Sequence, residues 1–78
     1  MMVDLCKMEI DKVGIIKKID VSEDIKRRFL DIGIVPNSKI VRILEDFNKS
    51  ISAYLIMDGI IAIRNNDTLG IGVKYEEV

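Results

Sequence analysis

Histidine is absent from this 78-residue chain, cysteine and proline occur once each, and only 5% of the residues are aromatic. Without histidine there is no ordinary general base, and a zinc or haem site of the usual kind has no imidazole to draw on. The lone thiol, Cys6, has no second cysteine for an internal disulfide and no base to activate it, so it reads as a small buried apolar side chain rather than a nucleophile. So few aromatics predict an aliphatic core and offer little on which nucleic-acid bases could stack. A formal charge of −1 gives no overall attraction to nucleic acid or to an anionic membrane. No apolar run approaches the ~20 residues a membrane-spanning helix needs, the densest being Gly59-Ile60-Ile61-Ala62-Ile63. The first residues mix charges with apolar side chains and lack the uninterrupted apolar region of a secretory signal, which points to the cytoplasm. In that setting the glycosylation pattern Asn48-Lys49-Ser50 carries no meaning.

What is present describes one folded domain over residues 1–78: 49% hydrophobic and 32% charged residues exclude disorder, and the length leaves no room for a second module. The most informative stretch runs from Asp24 to Ile40. Ile25, Phe29 and Ile32 fall on one helical face, Ser22 stands at the N-cap position, and Glu23 and Asp24 lie in the first turn where negative charge is favoured. The helix is expected from about Glu23 to Ile32, packed on a sheet. Gly33 supplies a left-handed stop, Pro36 forbids resumption, and Asn37 tolerates the positive φ such a turn demands.

The remainder reads as strand. Leu5 and Met8 are spaced to lay a loose turn against the domain, and Val13–Ile19 is a strand whose broken alternation and Gly14 predict a bulge or bend. Lys39–Glu45, Ile51–Met57 and Ile60–Arg64 form a three-strand meander, with Asp58-Gly59 as the second hairpin turn. Asn65–Leu69 is one helical or 3-10 turn capped by Asn65 or Asn66, Gly70–Tyr75 is the last strand, and Glu76–Val78 is a frayed tail. The fold expected is mainly β: about five short antiparallel strands with one α-helix after the first, bent into a closed barrel. Closure, or a partner strand, would also protect aliphatic segments such as Ala53–Met57 that are aggregation hazards at an open edge.

Candidate chemistry is sparse, and no enzyme activity is expected. The acidic pairs Glu23-Asp24, Glu45-Asp46 and Glu76-Glu77 diverge rather than converge, and no glycine-rich phosphate loop is present. Lys17, Lys18, Lys26, Arg27 and Arg28 are the one basic concentration, suited to solubility and to the helix dipole. At about 100° per residue Leu30 lies about 140° from Ile25, off the apolar stripe. Either Ile34 or the following loop folds over it, or it is an exposed apolar anchor flanked by charge.

Gly14-Ile15-Ile16-Lys17-Lys18-Ile19, Arg28-Phe29-Leu30-Asp31-Ile32-Gly33-Ile34-Val35-Pro36-Asn37-Ser38-Lys39-Ile40, Gly59-Ile60-Ile61-Ala62-Ile63-Arg64 and Ile71-Gly72-Val73 together resemble FeoA-like proteins, the ferrous iron transport accessory family. The resemblance covers nearly the whole chain, and its middle run is the specific part. It departs from the family pattern at Asp11, where glycine often precedes the first strand, and at Asn37 and Ser38, which replace glycine and threonine after the proline. The resemblance implies an SH3-like barrel and a small cytoplasmic partner of a ferrous iron transporter, acting by protein contact with that transporter's GTP-binding part. It implies no cofactor and no iron site in this chain. The partner surface expected is Arg27, Arg28, Phe29, Leu30 and Ile34. Two other readings are a stand-alone SH3-like interaction module, including a homo-oligomer, and a metal-sensing regulatory domain related to the C-terminal domain of metal-dependent repressors.

Overall fold

A computed structural model describes residues 1–77; of the expected frayed tail, Val78 lies outside the described residues. Among the described residues six strands form one antiparallel sheet: β1 (Val3–Asp4), β2 (Val13–Ile19), β3 (Lys39–Glu45), β4 (Ile51–Ile56), β5 (Gly59–Arg64) and β6 (Ile71–Tyr75). Their order is β1-β6-β2-β3-β4-β5, so the last strand lies between the first two. The α-helix α1 (Glu23–Asp31) follows β2 as expected. The sixth strand is β1, whose two residues pair with Val73 and Gly72; a segment this short has no periodicity to read and exists only through its partner. Among the described residues no ladder joins β5 to β1, so the sheet is curved but open rather than a hydrogen-bonded closed barrel.

The expected bulge is present: the β2–β6 register shifts between Ile16 and Lys18, and β3–β4 shifts likewise between Arg42 and Leu44. Each shift bends its strand and increases the local twist, curling the sheet around its contents. Gly14 is a point of close approach, since a Cβ there would stand 3.0 Å from the Met8 methyl. The core is aliphatic apart from Phe29 and Tyr54, and includes Leu5, Met8, Ile16, Ile34, Ile40, Ile71 and Val73. Leu5 and Met8 enter it from a 3-10 turn at Leu5–Lys7, and Cys6 is buried beside them in sequence.

Three details differ from the sequence expectations. The second hairpin turns on Met57 and Asp58, with Gly59 already paired to Ile56, and Met57 accepts a positive φ of 54°. The 3-10 turn Asn65–Thr68 has Arg64 at its N-cap position and no side-chain cap; the Asn65 amide is engaged elsewhere. At the tail, the Glu76 amide donates to Val13 O at 2.9 Å, which ties that residue to the sheet. Asp11, where the chain departs from the family's glycine, takes φ 69° while its amide donates to Arg42 O at 2.8 Å. Asp tolerates that left-handed conformation better than most residues with a Cβ, so the turn survives without glycine. No helix among the described residues is long and apolar enough to cross a membrane.

Candidate functional site

Helix α1 is built from both ends by local hydrogen bonds. The Ile25 amide donates to Ser22 Oγ at 3.5 Å, and Glu23 and Asp24 occupy the first turn. At the other end Gly33 has φ 94°, its amide donates to Leu30 O at 3.2 Å, and the Ile34 amide donates to Phe29 O at 2.9 Å. This pair of bonds is the Schellman closure, which brings the residue after the glycine back beside the last helical turn. Phe29 and Ile34 are accordingly both core residues, 3% and 1% exposed.

That closure decides the position of Leu30. Ile34 turns inward rather than over it, and Leu30 stays 59% exposed. The joint beyond is tied to β2, with Asn37 N donating to Ile16 O at 2.7 Å and Ile16 N donating to Ser38 O at 2.9 Å. Asn37 takes φ 73°, and Lys17 Nζ donates to its Oδ1 at 3.1 Å. Of the five residues expected to meet a partner, Arg27, Arg28 and Leu30 are at the surface, while Phe29 and Ile34 lie beneath and hold them in place. The sequence placed these residues in one run but could not divide surface from support, because the division depends on how the chain leaves Gly33.

Arg28 leans across a groove of about 410 Å³ between α1 and β5, with Phe29, Ile32 and Ile63 among its apolar walls. Its Nη2 lies 3.6 Å from Asp67 Oδ2, and Arg64 lines the same groove. An exposed pair at this distance is weak and salt-sensitive, leaving the guanidinium available to another acceptor.

A second polar constellation was not expected from the sequence. Arg42 is 7% exposed. Its Nη1 donates to Met8 O at 3.0 Å, its Nε to Ser52 Oγ at 3.2 Å and its Nη2 to Glu45 Oε2 at 2.6 Å. Ser52 Oγ donates in turn to Asn65 Oδ1, and Asn65 Nδ2 donates to Glu45 Oε2 at 2.9 Å. The signal was strand parity: Arg42 shares a face with buried Ile40, and Tyr54, its neighbour across the ladder, is buried too. This ring of donors and acceptors is internally satisfied, so it ties β3, β4 and the Asn65 turn together and presents nothing to a substrate. Tyr54 is different: its hydroxyl is buried without a hydrogen-bond partner among the described residues. Burial pushes its pKa up, against the opposing influence of the Ser52 and Thr68 hydroxyls and the Arg42 charge nearby.

No group of three or more histidine, cysteine, aspartate or glutamate side chains suited to a metal ion occurs among the described residues. A family model described as the FeoA domain matches residues 3–74. Among solved structures, the fold is similar to an iron uptake regulatory protein (FeoA), with a TM-score of 0.85 at 17% identity over 97% of this chain and 99% of that one. Iron(II) transport protein A from Clostridium thermocellum is similar at a TM-score of 0.88 and 19% identity, over 94% of this chain and 45% of that one. A manganese-dependent transcriptional repressor is similar at 0.86 and 16%, over 96% of this chain and 42% of that one. The chain thus spans under half the length of the last two, and at these identities the likeness concerns the fold. No curated protein matches the chain.

Proposed function

Because the chain belongs to the FeoA family, associated with ferrous iron transport, we propose that it is a cytoplasmic accessory protein that contacts the GTP-binding part of a ferrous iron transporter through helix α1. The observation that carries this reading is Leu30, a large apolar side chain 59% exposed on a helix whose other apolar side chains face the sheet. Arg27 and Arg28 precede it by three and two residues and supply charge beside an apolar anchor, a common composition for a contact that must be oriented as well as tight. Phe29 and Ile34 support that surface from the core. The protein acts by contact and catalyses no reaction of its own. The curved six-stranded sheet with α1 packed against it is the architecture on which this surface rests.

Capture by the transporter's isolated cytoplasmic domain tests the reading. Leu30→Asp should abolish capture while leaving the unfolding midpoint within experimental scatter, since an exposed side chain contributes little to folding. Equal capture by a folded Leu30→Asp protein defeats this surface.

The structural similarity to a manganese-dependent repressor favours a second reading, a metal-responsive regulatory module. It predicts a concentration-dependent rise in melting temperature with ferrous or manganous ion, because a ligand bound only to the folded state stabilises it. An unchanged melting temperature rejects it.

A further inference from the structure

The sheet has two outer edges of very different character. β1 offers two residues, too short to template another strand. β5 offers six, Gly59-Ile60-Ile61-Ala62-Ile63-Arg64, with no proline, no lysine and no bulge to blunt them. Its ladder to β4 is regular from Ile56↔Gly59 to Ile51↔Arg64, and the Asn65 amide donates to Ser50 O at 2.8 Å just beyond. Antiparallel residues alternate in which side their backbone groups serve. Ile61 and Ile63 therefore bond to β4, while the amides and carbonyls of Ile60, Ala62 and Arg64 point away from the sheet. The outer face here is apolar, with Ile60 68% and Leu55 41% exposed. Arg28, Phe29 and Ile32 lie across a groove of about 410 Å³ from Ala62 and Arg64 of this edge.

We propose that β5 is a homodimer interface, in which a second copy of this chain adds its own β5 antiparallel to the first across a two-fold axis at Ile61. The argument for a second copy is charge complementarity. β5 begins beside Asp58 and ends at Arg64, both exposed, and neither has an ion-pair partner within its own chain among the described residues. Centring the pair on Ile61 sets Asp58 opposite the partner's Arg64, and the symmetry axis makes the same pair twice. Ile60 then lies opposite the partner's Ala62, with the free amides and carbonyls of both strands facing one another. Centring on Ala62 would instead set Ile60 against the partner's Arg64 and Asp58 against the partner's Asn66, leaving both charges unmatched. The strand pairing does not involve Leu30, although Arg28 lines the same groove as Arg64, and it does not rest on the function proposed above.

Sedimentation velocity over about 1 to 500 μM protein should show a monomer giving way to a dimer. Arg64→Asp or Asp58→Arg alone should weaken dimerisation about tenfold or more, by replacing two attractions with two repulsions. The doubly reversed protein should recover it, which a folding defect would not do. In a Cys6→Ser background, Ile61→Cys should form an interchain disulfide on mild oxidation, because facing residues of a non-hydrogen-bonded pair lie about 4.5 Å apart at Cα. Ile60→Cys, displaced from its own copy in this register, should not. A monomer at every concentration overturns the proposal, as does a dimer indifferent to both charge reversals. A β5 edge protected from hydrogen exchange only when a transporter fragment is added would give the edge to a foreign strand and equally overturn it.

Discussion

Arg42 and Arg28 carry the same side chain into opposite circumstances. Arg42 is enclosed, and its guanidinium meets a carbonyl, a hydroxyl and a carboxylate within 3.2 Å. Arg28 is open to solvent and meets one carboxylate at 3.6 Å. The first arginine's donors are committed to holding the fold, whereas the second keeps donors free for another molecule. On the proposed function, partner-binding charge is to be sought where hydrogen bonding inside the chain is left incomplete, not wherever arginine is most elaborately bonded.

The contrast can be tested by substitution, beginning with the largest effect. Arg42→Ala should cost about 3 kcal/mol by chemical denaturation, since it removes the charge partner of the half-buried Glu45 carboxylate and the donor to the Ser52 hydroxyl. Arg42→Lys should recover only part of this, because an ammonium cannot reproduce the forked geometry. A loss near zero for Arg42→Ala would mean that enclosure and stability are uncoupled here.

Tyr54→Phe examines the buried polar group that lacks a partner. Removing an unsatisfied hydroxyl should leave stability unchanged or raise it by up to about 1 kcal/mol. Its pKa is raised on folding, so the wild type holds this contribution below the ordinary tyrosine value near 10 and loses stability as pH rises through that region. Denaturation midpoints measured from neutral to strongly alkaline pH should fall less steeply for Tyr54→Phe. Smallest of all, Arg28→Ala should change folding stability by no more than about 0.5 kcal/mol, the scale of an exposed ion pair. The same variant should measurably weaken capture by the transporter domain; if it shifts stability but not capture, the assignment of roles is reversed.

Legibility in the sequence followed how local the cause was. Ser22 acts through its side-chain cap, and Gly33, Pro36 and Asn37 through their own backbone geometry, so the helix, its stop and its turn were readable residue by residue. Strand β1 was not readable, because Val3 and Asp4 become a strand only where β6 lies alongside. The enclosure of Arg42 was visible only as a parity with Ile40, and composition alone would have placed an arginine outside. The hairpin turn moved by one residue because Met57 accepts a left-handed conformation that its type seldom takes. The contact run proposed from Arg27 to Ile34 was named as one unit. Its separation into exposed Leu30 and buried Phe29 and Ile34 required the three-dimensional course of the helix closure.

The place of β6 between β1 and β2 bears on how the molecule is made. During synthesis the ribosome delivers Val13–Ile19 long before Ile71–Tyr75, so β2 waits with one side unpaired until nearly the whole domain has emerged. The β3-β4-β5 meander, joined by short turns, can form meanwhile, whereas the sheet as a whole is assembled only after translation has passed its final strand. A nascent chain arrested before Ile71 should therefore remain protease-sensitive in β2, and one extended past Tyr75 should not.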